Sequence, residues 1–238
     1  AGNTIDVKEH ARDYSPYLSP SQAERPKIIK ENAVSMLLVS GALCNDAILE
    51  PVQDDEGGFT TVGDPTEGAL VVAAARFGLW KKELEEAMPR VSELPFDSER
   101  KRMSTVHQVL PEKMPDILEK IWQAHPQESI SEFIVITKGA VDGLLEISDR
   151  IWNHGKVSEL DDNWRERIRI ANDSLAKKGM RVLGVAFRSR DHADIDEKND
   201  PLENNLVFVG MFGMIDPARP EVQGAVQTAL TAGIRPVM

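Results

Sequence analysis

The stretch from Glu132 to Leu145, EFIVITKGAVDGLL, constrains the fold of this chain more than any other. Residues Phe133 to Lys138 mix apolar and β-branched types, which predicts a mostly buried strand, and the pattern changes at Gly139 to one typical of a helix. A lysine therefore lies where a strand ends, beside a residue whose missing Cβ lets a flat ligand or another backbone approach closely. The N–H groups that open the helix would favour an anion. A nucleotide site fits this pattern, but the stretch by itself favours a solvated strand end with an ordinary turn glycine, and other stretches must decide between the two.

Composition indicates a folded protein with a substantial core, since the chain has 238 residues of which 41% are hydrophobic. No apolar run approaches the ~20 residues needed to cross a bilayer, and we expect no signal peptide at the start. The formal net charge of −11 argues against nucleic acid and acidic membranes as partners, because the summed field repels phosphates. A phosphate compound would therefore need a local basic cluster.

Cysteine and histidine usage gives no indication of a metal site. A single cysteine, Cys44, rules out an internal disulfide and a multi-thiolate centre, and it fits a reducing compartment. No metal-ligand spacing relates the five histidines, which are His10, His107, His125, His154 and His192.

The hydrophobic patterns predict an α+β fold, a largely antiparallel β-sheet flanked by helices. The sharpest helix start is at Asp64, which is followed by a first-turn proline and by a glutamate three residues after the cap. Helices are expected at 26–45, 64–78, 79–88, 161–178 and 221–232, with a further helical stretch at 117–124. Strands are expected at 48–53, 59–62, 91–96, 103–110, 133–138, 180–187 and 206–215, a charged loop at 188–205, and a final strand at 234–238.

Six stretches in the same order resemble one family, the P-type cation-transporting ATPases, and within it the calcium-pump-like group. Each motif alone is weak evidence, whereas six in order over residues ~43 to 238 are specific. They are LCNDA at 43–47, DPTEGAL at 64–70, LPFDSERKRMS at 94–104, TKGA at 137–140, GMRVLGVA at 179–186 and GMIDPARPEV at 213–222.

The resemblance implies a cytoplasmic domain of an integral membrane protein. Residues 25–212 would form the nucleotide-binding domain, and residues 213–238 a hinge with a fragment of the phosphorylation domain, after a poorly defined segment at 1–24. The family's phosphorylated Asp-Lys-Thr-Gly-Thr motif and its Thr-Gly-Asp motif do not occur here. The fragment is therefore expected to bind nucleotide without turning it over, and no catalytic residue is assigned.

Five predicted site residues follow from this resemblance. Phe96 matches the aromatic that stacks on adenine, Lys138 the lysine at the base of the pocket, and Gly139 and Ala140 the small residues that leave room for the ring. Lys101 matches a lysine that reaches toward the phosphates. By residue type alone Phe96 would be core, and the cations of the 100–102 run would be a solvated charge run, which is our interpretation for Arg100 and Arg102.

The remaining predicted contacts come from other stretches. Glu67 matches a glutamate near the adenine amino group, and closing a capping box is its alternative role. Arg181 matches an arginine that contacts the phosphates, where a planar guanidinium suits the anion. Leu183 and Met103 would line the purine pocket, or be plain core. Asp216 matches a hinge aspartate.

The implied ligand is ATP, accompanied by Mg2+. Val141 and Asp142 replace the usual Pro-Glu after Lys-Gly-Ala, and Ser98 stands where calcium pumps have an arginine, which removes one phosphate contact. One stacked base at ~1 to 3 kcal/mol and two charge-assisted hydrogen bonds at ~1.5 to 3 kcal/mol each must exceed an association cost of ~4 kcal/mol or more. We therefore predict a Kd of roughly 0.1 to 1 mM.

The expected partners are ATP and the phosphorylation and actuator domains of the same pump. We expect a monomer without nucleic-acid or membrane contact. A hydrolase acting alone is disfavoured, because no nucleophile with a positioned base is evident. A protein-interaction module that has lost nucleotide binding is the alternative, with the 188–200 loop and the 111–131 insert as docking surfaces.

Overall fold

The computed structural model describes residues 32–52, 58–114, 131–153, 156–195, 200–215 and 220–237. Three expectations lie outside these residues: the segment 1–24, the helical stretch 117–124 and the hinge residue Asp216.

The described helices and strands follow the predicted order with one addition, an antiparallel pair of strands at 148–153 and 156–159. The helices are α1 (Asn32–Leu43), α2 (Pro65–Ala75), α3 (Lys81–Ala87), α4 (Val141–Glu146), α5 (Asp162–Lys177) and α6 (Pro220–Thr231). The strands are β1 (Ile48–Val52), β2 (Gly58–Val62), β3 (Arg90–Asp97), β4 (Arg102–Gln108), β5 (Phe133–Gly139), β6 (Ser148–Asn153), β7 (Lys156–Glu159), β8 (Arg181–Arg190) and β9 (Leu206–Met214).

The main sheet of the described chain has seven strands in the order β3-β4-β5-β8-β9-β6-β7, and β1 and β2 form a separate antiparallel pair. Every pairing in the main sheet is antiparallel except that of β6 with β9. This confirms the predicted α+β fold. The predicted strand β5 lies inside the sheet, between β4 and β8, so its mixture of apolar and β-branched residues matches burial on both faces.

Helices cover the two faces of the sheet differently. We call the side that packs on α1 the α1 face; its core contains Met36 and Leu43 of α1 together with Met103, Ile136 and Val185 of the strands. A second core forms under α4 and α5 on the opposite face. Because side chains alternate along a strand, Lys138 projects to the α1 face with Ile136. Among the described residues, no helix is long and apolar enough to span a bilayer.

Two predicted elements differ from the structure. The strand expected to end at Phe187 continues to Arg190, because β5 pairs with it as far as Phe133↔Arg190. The final strand is wrong where it is described: residues 234–237 have no strand assignment. A β-strand requires a hydrogen-bonded neighbour, and the described residues offer none at this position.

Candidate functional site

A buried ion pair marks the end of β5 on the α1 face. Lys138 is 6% exposed, and its Nζ donates to Oε1 of Glu67, which lies in the first turn of α2. Oε2 of the same carboxylate accepts the backbone N–H of Asp46 at 3.0 Å. The strand end therefore carries a fixed cation and a fixed carboxylate rather than a solvated lysine. An enclosed pair of this kind is strongly destabilised when one partner alone is removed.

The N-terminus of α2 brings Glu67 to this position. Asp64 is the N-cap, and its Oδ1 accepts from the backbone N–H groups of Thr66 at 2.8 Å and Glu67 at 3.3 Å. This confirms the predicted cap. The Glu67 carboxylate accepts hydrogen bonds from Lys138 and from the Asp46 N–H, so its oxygens are engaged there and not in the return half of a capping box.

The loop that connects α1 to β1 is held by its own Asn45 and by one side chain each from α3 and β3. Asn45 is fully buried; its Nδ2 donates to Gly41 O and Glu67 O, both at 2.9 Å, which ties α1 to α2. Lys81 of α3 donates to Ala47 O at 2.9 Å, and Arg90 of β3 donates to Asn45 O at 2.7 Å. The loop is therefore a rigid support for the Glu67 carboxylate.

Phe96 lies in a β-bulge, in the same row across the sheet as Lys138. Leu94 pairs with Ser104 and Asp97 with Arg102, so two residues of β3, Pro95 and Phe96, lie opposite the single residue Met103 of β4. Met103 in turn pairs with Lys138 of β5. A bulge re-aims a side chain, and Phe96 is 65% exposed although it is a large apolar residue. The alternative interpretation of Phe96 as core is therefore wrong, whereas Met103 is buried in the core of the α1 face.

Gly139 and Ala140 contact the turn between β3 and β4. A Cβ on Gly139 would lie 2.4 Å from the Cβ of Arg102 and 2.6 Å from the carbonyl oxygen of Lys101. Of the two roles considered for this glycine, close approach of another backbone is the one observed. The N–H of Ala140 donates to that same Lys101 oxygen at 3.0 Å, so it is not available to an anion. Lys101 itself is exposed and has φ +51°, a left-handed conformation.

Strand β8 contributes the other predicted contacts. Leu183 is half-buried, and it alternates with Val185 of the α1-face core, so it shares the face of Lys138. The exposed Arg181 is two residues further along that face, and its Nη1 donates to Thr66 Oγ1, next to Glu67. The structure thus brings β8 and the start of α2 together.

The contacts of Arg100 and Arg102 differ from those expected of solvated side chains. These residues do not form a solvated charge run: both guanidinium groups donate to the carboxylate of Glu203, a residue that is 8% exposed. Both guanidinium groups are thus engaged by one partly shared carboxylate, which leaves Lys101 as the exposed cation of the 100–102 run.

Two further ionisable groups are affected by this environment. Burial raises the pKa of the Cys44 thiol, although the nearby Lys138 charge opposes the shift. The hydrogen bond from Arg90 holds the pKa of the Asp46 carboxyl below its usual range. Among the described residues, no group of three or more His, Cys, Asp or Glu side chains has the arrangement of a metal site.

Sequence reasoning missed the residues that support the site. Asn45 had a detectable signal, since it is a polar residue directly after an apolar helix and lies in one of the six motifs. Lys81 had no detectable signal, because nothing in the sequence distinguishes it from the neighbouring Lys82. Arg90 and Glu203 also had none, because each acts through partners distant in the chain.

Comparison with known proteins identifies the family. The family described as "P-type ATPase, cytoplasmic domain N" matches residues 33–221. Calcium-transporting ATPase 1 of Bacillus cereus is 36% identical over 210 residues, which cover 88% of this chain and 20% of that protein. The Calcium-transporting ATPase of Bacillus subtilis is 30% identical over 226 residues, covering 94% and 23%. A sodium/potassium exporting P-type ATPase of Schizosaccharomyces pombe is 35% identical over 232 residues, covering 97% and 19%.

The chain thus spans about a fifth of the length of these relatives. Since the family match extends over most of its residues, this chain belongs to the P-type ATPases and corresponds to their cytoplasmic domain N.

Proposed function

We propose that this chain binds ATP at the end of β5 on the α1 face. As part of a cation-transporting pump, it would present the terminal phosphate to an aspartate outside the chain. The observation that carries the proposal is the row of Phe96, Met103 and Lys138 across three neighbouring strands, with an exposed ring at one end and a buried ion pair at the other. Two strand spacings separate the ends of this row by roughly 10 Å, which suits a purine.

The adenine would lie against the exposed face of Phe96. An aromatic ring stacks on a base through its π-face, worth ~1 to 3 kcal/mol, and a ring that is already exposed costs little to rearrange. Half-buried Leu183 would supply apolar surface on the α1 face, and Met103 belongs to the adjoining core. The Glu67 carboxylate already accepts hydrogen bonds from Lys138 and Asp46, and its remaining lone pairs suit the adenine amino group.

The phosphates would be bound by Lys101 and Arg181. Both are exposed, and Arg181 donates to a neutral hydroxyl, that of Thr66, so exchanging this partner for a phosphate separates no ion pair. Ser98 provides no third cation. Two cations and one stacked base support the weak affinity predicted above, a Kd of roughly 0.1 to 1 mM. Mg2+ would arrive with the nucleotide and be coordinated mainly by groups outside this chain.

The same proposal assigns no catalysis to the chain itself. ATP supplies the phosphoryl group, and the residues described here hold the nucleotide and orient it. The phosphorylation and actuator domains of the pump would be the partners in the complete protein, with Asp216 at the hinge between domains and the isolated chain a monomer.

Titration with a non-hydrolysable ATP analogue, followed by backbone NMR shifts, tests the proposal. We expect saturable shifts that concentrate at Glu67, Phe96, Lys138 and Arg181. The variant Phe96→Ala should weaken binding, whereas Val91→Ala, which removes another exposed apolar side chain from β3, should not. Shifts that avoid these four residues, or no binding at all, would reject the nucleotide site in favour of an interaction module.

A further inference from the structure

Glu203 is a buried carboxylate on the face of the sheet opposite α1. It accepts hydrogen bonds from Nη1 of Arg100, from Nε of Arg102 at 2.6 Å and from Oγ of Ser104 at 2.9 Å. Burial opposes its ionisation, but the hydrogen bonds from the two arginines and Ser104 hold the pKa of this carboxyl below its usual range. Glu203 is therefore a charged anchor for the turn between β3 and β4.

The segment that carries Glu203 is itself firmly attached to the sheet. Leu202 is fully buried in a small core with Val106 of β4 and Val135 of β5. Nη1 of Arg188 donates to two carbonyl oxygens on either side of Glu203, those of Pro201 and Asn204, each at 3.1 Å. The carboxylate therefore has a defined position, although it lies between strands rather than within one.

Arg100 connects this anchor to the bulge. While its Nη1 donates to Glu203, its Nη2 donates to Pro95 O at 2.8 Å, and Pro95 directly precedes Phe96. The backbone N–H of Arg100 also donates to Oδ1 of Asp97 at 2.8 Å, the residue that follows Phe96. One arginine thus holds the chain on both sides of the exposed ring.

Building on the proposed function, we infer that Glu203 is a positioning residue for nucleotide binding, acting through Arg100 to hold the Phe96 ring where adenine stacks. The ring lies on an edge strand, at a bulge, and is mostly exposed, so packing alone does not fix it. Stacking affinity depends on how little freedom the ring loses when the base arrives. The hydrogen bonds from Arg100 to Glu203 and to Pro95 O restrict the conformational freedom of the Phe96 ring before the base binds, and they do so from the opposite face of the sheet.

The test compares affinities for a non-hydrolysable ATP analogue by NMR titration. Glu203→Gln keeps the side-chain shape and removes the charge, and we expect binding about fivefold weaker than wild type. Asp200→Asn is the matched control, because it removes a carboxylate of the same segment that pairs with Arg188 and Arg190 instead of the turn. We expect its affinity to equal that of the wild type.

A second protein, in which Phe96 is replaced by leucine, distinguishes a positioning role of Glu203 from a general effect on stability. In a Phe96→Leu protein, which lacks the stacking ring, Glu203→Gln should change the affinity by less than about twofold, because the two effects are coupled. An equal loss with and without the ring, an equal loss in Asp200→Asn, or no loss in Glu203→Gln would each overturn the inference. If Glu203→Gln does not fold, Arg100→Lys takes its place in the test. Because one ammonium group cannot reach both Glu203 and Pro95, the affinity for the analogue must fall while the melting temperature stays unchanged. An unchanged affinity would overturn the inference.

These outcomes are distinguishable from failure of the proposed function. If the wild-type chain does not bind the analogue, the nucleotide site itself is rejected. If it binds and Phe96→Leu weakens binding while Glu203→Gln has no effect, only the positioning role is rejected.

Discussion

Lowering the pH should destabilise this fold through His107, a fully enclosed histidine of β4. Its Nδ1 lies 2.9 Å from Met88 O and its Nε2 2.8 Å from Thr105 Oγ1, which fits a neutral ring that donates to the carbonyl and accepts from the hydroxyl. Burial lowers the pKa of His107 from 6.5 to about 4; the nearby charges of Arg90 and Lys81 act in the same direction, and the Met88 carbonyl opposes them.

The sign and size of the effect follow from linkage. The folded-state pKa is below the unfolded one, so the unfolded chain binds the proton first as the pH falls. The contribution of neutral His107 to the free energy of unfolding is therefore fully present above pH 6.5 and is lost as the pH falls toward 4. Because one pKa unit corresponds to about 1.4 kcal/mol, His107 removes about 2 kcal/mol from the free energy of unfolding by pH 5 and about 3 kcal/mol by pH 4.

Urea denaturation, followed by tryptophan fluorescence between about pH 7.5 and about pH 4, measures this loss. The control is His107→Gln, whose amide does not titrate; it should be less stable than wild type at neutral pH but lose less stability on acidification. Carboxylates that titrate in this range are common to both proteins, so the difference between the two curves isolates His107. Parallel curves would refute the argument, because they would mean that the folded protein accepts the proton as readily as the unfolded chain.

Three other predictions concern the site. Phe96→Ala should weaken binding of the ATP analogue about tenfold, measured by NMR titration, with an unchanged melting temperature because the ring is exposed. Lys138→Met should cost about 3 kcal/mol in chemical denaturation by stranding the Glu67 carboxylate, and adding Glu67→Gln should recover stability without recovering binding; no recovery would contradict the ion pair. Gly139→Ala should cost about 2 kcal/mol because its Cβ has no space, whereas Gly143→Ala, where contacts begin at 3.8 Å, should be tolerated; equal costs would exclude the steric explanation.

Local patterns were sufficient for the elements whose signals lie within a few residues. The cap at Asp64 was predicted from an aspartate, a proline and a glutamate at fixed offsets, and it is observed with its hydrogen bonds. The helix expected at 161–178 is observed as Asp162–Lys177, since its apolar residues recur every three or four positions. The hairpin of β6 and β7 was missed, because its strands are short and polar at many positions.

The candidate site could be predicted only in part, because the contacts that hold its residues join segments distant in the chain. Six motifs in order identified the family and singled out Phe96 and Lys138, but they did not say how these residues are held. Arg100 illustrates the limit: within a run of three cations it has the pattern of a solvated side chain, and only the structure places a buried carboxylate from 103 positions later in the chain against it.

The amino-acid sequence by itself determined the family, the α+β class, the capped start of α2 and the strand that ends at Lys138, because those signals are local or are carried by short motifs. Tertiary structure alone decided that Lys138 pairs with Glu67, that a bulge exposes Phe96, and that Glu203 holds the turn from the opposite face. Each of these depends on strand register and on contacts between distant segments, which are established only when the whole sheet forms.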